Sequence, residues 1–184
     1  PSLVFTPELE KQIRETILEP TLKGFQKDGL DFRGVLFIGL MISEDGPKVI
    51  EFNNRFGDPE TQSVLPRLES DLLDIFVAVT ENRLADVEIK WSDEKAVCVV
   101  AASGGYPGSY EKGKVISGLD DVDDDVIVFH AGTAAKDAGD ADSAGTVIVT
   151  SGGRVLGVTA LGKTHEEARA KAYDNIRRIS FDGM

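Results

Sequence analysis

Cysteine is almost absent: the 184-residue chain has one, Cys98. That excludes an intramolecular disulfide, and its place in the apolar run AVCVVAA reads as a small buried side chain. Basic residues are scarce as well. Lys and Arg number 20 against 32 Asp and Glu, a net charge of −12, which argues against duplex nucleic acid as a partner, because gripping the phosphate backbone takes clustered cations. An anionic membrane surface repels such a chain too. No run approaches the roughly 18 apolar residues that span a bilayer. The opening PSLVFTPELEKQ lacks the basic-then-apolar order of a secretory leader. These deficits fit a soluble protein of the reducing cytoplasm. The first residue is Pro1 rather than Met, as expected of a piece of something longer.

Apolar material is ample, at 41% of residues, and the length suits one ordinary domain or two small ones. Thr6-Pro7-Glu8 is a helix start, with a hydroxyl cap, a proline at the first position and an acid at the positive dipole end. Apolar residues then recur every three to four positions, predicting an amphipathic helix over 7–27, kinked at Pro20. The run GVLFIGLMI, Gly34 to Ile42, reads as a strand covered on both faces. Asp45-Gly46, within Ser43 to Pro47, signals a turn, and Lys48 to Arg55 should return antiparallel. Asp58 is placed to cap a short helix with Pro59 at its first position, interrupted at Pro66. Residues 69–83 suit a mostly buried helix.

The mixed polar stretch Leu84 to Glu94 marks a domain boundary, dividing the chain into 1–90 and 91–184. Beyond it lie short β-rich segments, AVCVVAAS, KVISGL, VIVFHAG, GTVIVTS and RVLGVTALG, between Gly-rich or Asp-rich turns. A final helix opens at Thr164, with Glu167 completing a capping box and Ala168, Ala172, Ile176 and Ile179 as its inner stripe. The fold class is α+β, without internal repeat.

The stretch KVIEFNNRFGDPETQ, residues 48–62, carries the chemistry. Along a strand, Glu51, Asn53 and Arg55 share one face while Ile50 and Phe52 face a core. Two positions apart is about 6.6 Å at Cα, so the carboxylate of Glu51 and the amide oxygen of Asn53 can converge on one ion. Magnesium favours such hard oxygens and takes only one or two from protein beside phosphate and water. Arg55 can fork onto a phosphate oxygen. The plainer reading is a solvated strand face with an incidental Glu–Arg pair.

GVLFIGLMISEDGPKVIEFNNRFGDPETQ, followed by LPRLESDLL, resembles the signature region of the glycinamide ribonucleotide synthetases, the phosphoribosylamine–glycine ligases, which are ATP-grasp enzymes of purine synthesis. AASGGYPGSYEKGKVISGL, VFHAGT and GGRVLGVTALGKTHEEARAKAY are similar to that family's C-terminal domain in the same order. The resemblance implies the end of an ATP-grasp domain, antiparallel strands with helices, over 1–90, then a small β-rich α+β domain over 91–184. It implies ligation of glycine to 5-phosphoribosylamine with ATP split to ADP and phosphate, through glycyl phosphate. Carried onto this sequence, Glu51 and Asn53 correspond to the ligands of Mg2+ or Mn2+, bridging it to the ATP phosphates. Arg55 corresponds to a catalytic cation on the phosphates or acyl phosphate. Gly57, Asp58, Pro59, Glu60 and Thr61 correspond to the loop beside the glycine and phosphoribosylamine pocket, where amides of the short helix would meet an anion.

Two departures accompany the resemblance. The wider superfamily often has a further acidic ligand one strand earlier, and that place falls near Gly39. The family's N-terminal domain and the first part of its ATP-grasp region are not in these residues, so the segment is expected to need that missing part and to be catalytically silent alone. Rival readings are another carboxylate–amine ligase using the same strand, and a non-catalytic interaction module.

Other features read as structural. SGGYPG, 103–108, lacks the helix that a dinucleotide fingerprint needs and reads as a structural turn, although the family resemblance leaves room for it near the active cleft. LDDVDDDV, 119–126, lacks the glycine and terminal Glu of a calcium loop and reads as a solvated acidic loop. His130 reads as a satisfied structural histidine, His165 as exposed, and Cys98 as no nucleophile. The acidic run KDAGDADSAG, 136–145, suits a salt-adapted source or an ordinary acidic enzyme.

Overall fold

A computed structural model describes residues 5–137 and 145–184; most of the acidic run at 136–145 lies outside the described residues. The chain forms two compact units. One comprises the residues up to Gly57 with Ser70–Glu88, the other Asp58–Glu69 with Ile89–Met184. The compact units therefore do not divide the chain at a single point: residues 58–69 leave the first unit and join the second.

In the first unit, Thr6 accepts from the Leu9 amide at 3.2 Å, with Pro7 at the helix start. The predicted helix over 7–27 forms in three parts: α1 (Pro7–Ile13), a π-helical turn (Arg14–Leu18) and α2 (Glu19–Lys27). Proline has no amide hydrogen and its ring crowds the carbonyl four residues back. The wider turn immediately before Pro20 makes room for it, with the Glu19 amide reaching back to the Arg14 carbonyl. Ile13 and Ile17 form the buried stripe.

Strands β1 (Phe37–Ser43) and β2 (Gly46–Asn53) make an antiparallel hairpin. Gly46 has φ +96°, a conformation that favours glycine just after a two-residue turn. The sheet has two strands only, which corrects two expectations. β1 is not covered on both faces, since Met41 and Ile42 are exposed, and Ile50 and Phe52 are exposed rather than anchored in a core. An apolar run signals that a strand wants covering, not that this unit supplies the cover. Helix α4 is likewise shorter and barer than the expected 69–83. It is numbered after the short helix α3 (Thr61–Val64) of the other unit, runs Leu72–Thr80 from an Asp71 cap, and encloses only Ala78.

The second unit is built on β3 (Lys95–Ala102), β4 (Val126–His130) and β7 (Arg154–Gly162), antiparallel in the order β3-β7-β4. The central strand has Val155, Leu156, Val158 and Ala160 fully enclosed. A separate hairpin pairs β5 (Thr133–Asp137) with β6 (Thr146–Thr150). KVISGL is not a strand: Val115 and Ser117 each make a single bridge, to Val149 and Ser180. Helix α5 (His165–Ile176) covers the sheet. Thr164 accepts from the Glu167 amide at 3.1 Å, and Glu167 in turn accepts from the Lys163 amide at 2.9 Å. Its stripe of Ala168, Ala172, Ile176 and the following Ile179 is buried as its spacing predicts.

The acidic loop before β4 is not merely solvated. Asp123 accepts from Arg178 at 2.7 Å and from the Asn175 amide at 3.0 Å, and Asp125 pairs with Lys171. Among the described residues no helix is long and apolar enough to cross a membrane.

Candidate functional site

Antiparallel pairing puts Gly39 of β1 directly opposite Glu51 of β2, and Phe37 opposite Asn53. The register shifts at the next step, where Leu40 pairs with Val49 and Ile50 is left over as a bulge. The irregularity lies before Glu51, so Glu51 and Asn53 keep their two-residue spacing and share a face. Glycine at 39 leaves room for the Glu51 side chain, chiefly its Cγ. A Cβ built there would lie 3.0 Å from Glu51 Cγ and 3.7 Å from its Oε1. Gly39 is thus the position over which the Glu51 side chain lies. Glu51 is exposed and Asn53 half-buried.

Among the described residues no group of three or more His, Cys, Asp or Glu could hold a metal ion. A hard cation on this hairpin would take two protein oxygens, one from each of Glu51 and Asn53. That donor set fits magnesium, which leaves its other positions to water and phosphate.

Arg55 departs from the expectation. β2 ends at Asn53, so strand alternation does not carry Arg55 onto the face of Glu51. The chain bends at Asn54 and Arg55, and the exposed Arg55 guanidinium donates to the carbonyl of Phe56 at 2.8 Å.

Gly57, buried, ends the first unit and Asp58 begins the second. Asp58 does not cap a helix, and Pro59 is not a first helical residue. α3 has only four residues, with Glu60 before it, and the Glu60 carbonyl takes the Ser63 and Val64 amides at 3.0 and 2.9 Å. So short a helix, headed by an acid, offers no anion-binding end. The Asp58 side chain has other partners. Its Oδ1 accepts from Gln62 Nε2 at 3.0 Å, its Oδ2 lies 3.5 Å from Arg154, and its carbonyl accepts from Arg154 Nη1 at 2.6 Å. The Gln62 carbonyl accepts from Thr159 of β7 at 2.9 Å, while Gln62 Oε1 is buried without a hydrogen-bond partner.

Arg154, Gln62 and Tyr106 fall within the quoted motifs, but the sequence reading gives none of them a role of its own. A signal existed: Ser-Gly-Gly occurs twice, at 103–105 and 151–153, and an arginine follows the second. These two turns meet. The Ser103 amide donates to Gly153 O at 2.8 Å and its hydroxyl to Gly152 O at 2.9 Å. The Tyr106 ring lies so close over Gly153 that a Cβ there would sit 2.0 Å from a ring carbon. The Tyr106 hydroxyl and the Asp58 carboxylate hold Arg154 more firmly protonated than usual. The SGGYPG turn thus packs against the turn that leads into Arg154.

His130 Nδ1 sits 3.0 Å from the Thr133 hydroxyl. Burial pushes the Cys98 thiol pKa up, against a hydrogen bond with Thr159, the opposite of what an activated nucleophile needs. His165 is half-buried rather than exposed.

Comparison with known proteins bears on the whole chain. The family described as "Phosphoribosylglycinamide synthetase, ATP-grasp (A) domain" matches residues 1–61, and "Phosphoribosylglycinamide synthetase, C domain" matches 96–184. The chain is 48% identical to a phosphoribosylamine–glycine ligase of Caldanaerobacter subterraneus, over all of this chain and 43% of that one. It is 49% identical to the chloroplastic phosphoribosylamine–glycine ligase of Arabidopsis thaliana, over all of this chain and 34% of that one. The crystal structure of the phosphoribosylamine–glycine ligase from Thermotoga maritima superposes with a TM-score of 0.74 at 34% identity, covering 98% of this chain and 42% of that chain. The N5-carboxyaminoimidazole ribonucleotide synthetase of the same organism shares the fold alone, at 12% identity and a TM-score of 0.56. The chain spans less than half the length of these relatives.

Proposed function

The chain belongs to the phosphoribosylglycinamide synthetase family, and on that premise we propose that it supplies the metal-holding hairpin and C-terminal domain of a phosphoribosylamine–glycine ligase. The reaction joins glycine to 5-phosphoribosylamine as ATP becomes ADP and phosphate, a step of purine synthesis, and its setting is the cytoplasm. A carboxylate is a poor acyl donor until one oxygen becomes a leaving group. Glycine therefore takes the γ-phosphoryl group to form glycyl phosphate, and the sugar amine displaces phosphate from it. Side chains supply little covalent chemistry here; they hold reactants in line and offset charge.

The single observation that carries this reading is the pair Glu51 and Asn53 on one face of β2, with Gly39 leaving room for the Glu51 side chain. When bound there, Mg2+ or Mn2+ would neutralise triphosphate charge and orient the γ-phosphoryl group. Arg55, one bend further on, is the cation for the phosphates or acyl phosphate, its always-charged fork suiting their oxygens. The segment Gly57, Asp58, Pro59, Glu60 and Thr61 borders the glycine and phosphoribosylamine pocket. ATP, glycine, phosphoribosylamine and the remaining N-terminal part of the same enzyme are the partners, and the isolated segment is inactive.

Glu51→Gln in the full-length enzyme tests the reading. Turnover at saturating Mg-ATP should fall at least about tenfold, since losing about 1.4 kcal/mol of transition-state stabilisation has that effect. An unchanged rate would remove Glu51 from the mechanism and favour a non-catalytic interaction module.

A further inference from the structure

Arg154 is the first residue of β7, the central strand of the three-stranded sheet. Its own carbonyl accepts from the Gly132 amide at 2.8 Å, so its backbone is fixed by the core of the second unit. Its side chain leaves that core. It reaches the Asp58 carbonyl at 2.6 Å and the Asp58 carboxylate at 3.5 Å. The other Asp58 carboxylate oxygen is taken by Gln62. Asp58 is thus committed on both oxygens and at its carbonyl, which makes it a bracket for the loop.

We infer that Arg154 is a positioning residue of the ligase: through Asp58 and Gln62 it fixes the loop 58–62 in the placement from which Glu60 and Thr61 meet glycine and phosphoribosylamine. The inference rests on the ligase reading for its substrates, and on the second unit alone for its geometry. A guanidinium suits the role because one planar fork serves both a carbonyl and a carboxylate, whereas a lysine is a point charge. The requirement for glycine at 153 follows as well, since any side chain there would displace Tyr106 from the same cluster. The Arg154 and Asp58 side chains are 39% and 53% exposed, and pairs so exposed contribute little to global stability. Misplacing a substrate-binding group, by contrast, is felt strongly in substrate binding and rate. A role in positioning and a role in folding therefore separate cleanly.

The test compares Arg154→Gln and Arg154→Lys with wild type in the full-length enzyme. In the Gln variant, KM for glycine or phosphoribosylamine should rise at least about tenfold. KM for ATP should stay within about twofold, and the melting temperature within about 2 °C. The Lys variant, keeping charge without the fork, should fall between. KM values unchanged for all three substrates, or raised together with that for ATP, would overturn the inference. Should wild type prove to have no ligase activity, the functional reading falls and amide hydrogen exchange at Ser63 and Val64 decides the positioning role. Exchange about tenfold faster in Arg154→Gln supports the bracket, and unchanged exchange removes it.

Discussion

The two units bury their apolar residues very differently. In the second, a three-stranded sheet under α5 encloses Val155, Leu156, Val158, Ala160, Ala168 and Ala172 completely. In the first, a two-stranded hairpin and a short helix leave Ile50, Phe52 and Leu73 more than half exposed, and the enclosed apolar side chains among the described residues are Ile13, Ile17 and Ala78. A two-stranded ribbon is at best marginal by itself, whereas three strands packed on a helix can be independently stable. The residues proposed for the metal therefore sit on the weakly enclosed element, while Arg154 projects from the well-enclosed one.

The largest expected effect breaks that contrast if it fails to appear. Leu156→Ala removes a side chain with no exposure and should cost about 2–5 kcal/mol of unfolding free energy. Ile50→Ala, at 62% exposure, should stay within about 0.5 kcal/mol. Denaturant titration of both variants reads the difference directly, and comparable costs would mean that Ile50 is covered in solution.

A smaller effect sharpens the same point. Asn175 is fully buried on α5, accepts from the Asp123 amide at 2.7 Å and donates to the Asp123 carboxylate and the Lys171 carbonyl. Asn175→Ala strands these groups and should cost about 1–3 kcal/mol. Thermal unfolding without a measurable shift would make the bond set redundant.

What the sequence disclosed was what is local. The α5 capping box needs only Thr164 and Glu167, the hairpin turn only Asp45-Gly46, and the shared face of Glu51 and Asn53 only strand alternation, so each was readable over a few residues. Alternation failed at Arg55 because nothing local announces that β2 stops at Asn53. The exposure of Ile50 and Phe52 was hidden because hydrophobicity reports a need for burial, not the layer that meets it. Arg154 and Asp58 are 96 residues apart, so their pairing belongs to tertiary structure. The acidic loop misled for the same reason, as its cations Lys171 and Arg178 come from α5 and its C-terminal end.

That acidic loop carries the smallest prediction. The Arg178 guanidinium, first, and the Asn175 amide hold the Asp123 carboxyl below its ordinary range. A depressed folded pKa means that the unfolded chain takes up its proton at higher pH than the folded one, so acidification favours unfolding. The stabilisation from Asp123 is present above the unfolded carboxylate value of about 3.9 and disappears as pH falls through the folded value. Asp123→Asn keeps the shape and cannot titrate, and the remaining acids titrate alike in both proteins. The difference between their melting temperatures thus isolates this one group. It should favour wild type near pH 7 and narrow progressively below about pH 4. A gap that held constant down to pH 3 would show that Asp123 ties the loop to α5 through hydrogen bonds insensitive to its charge, and would take the ion pair with Arg178 out of what holds β4 and the helix together.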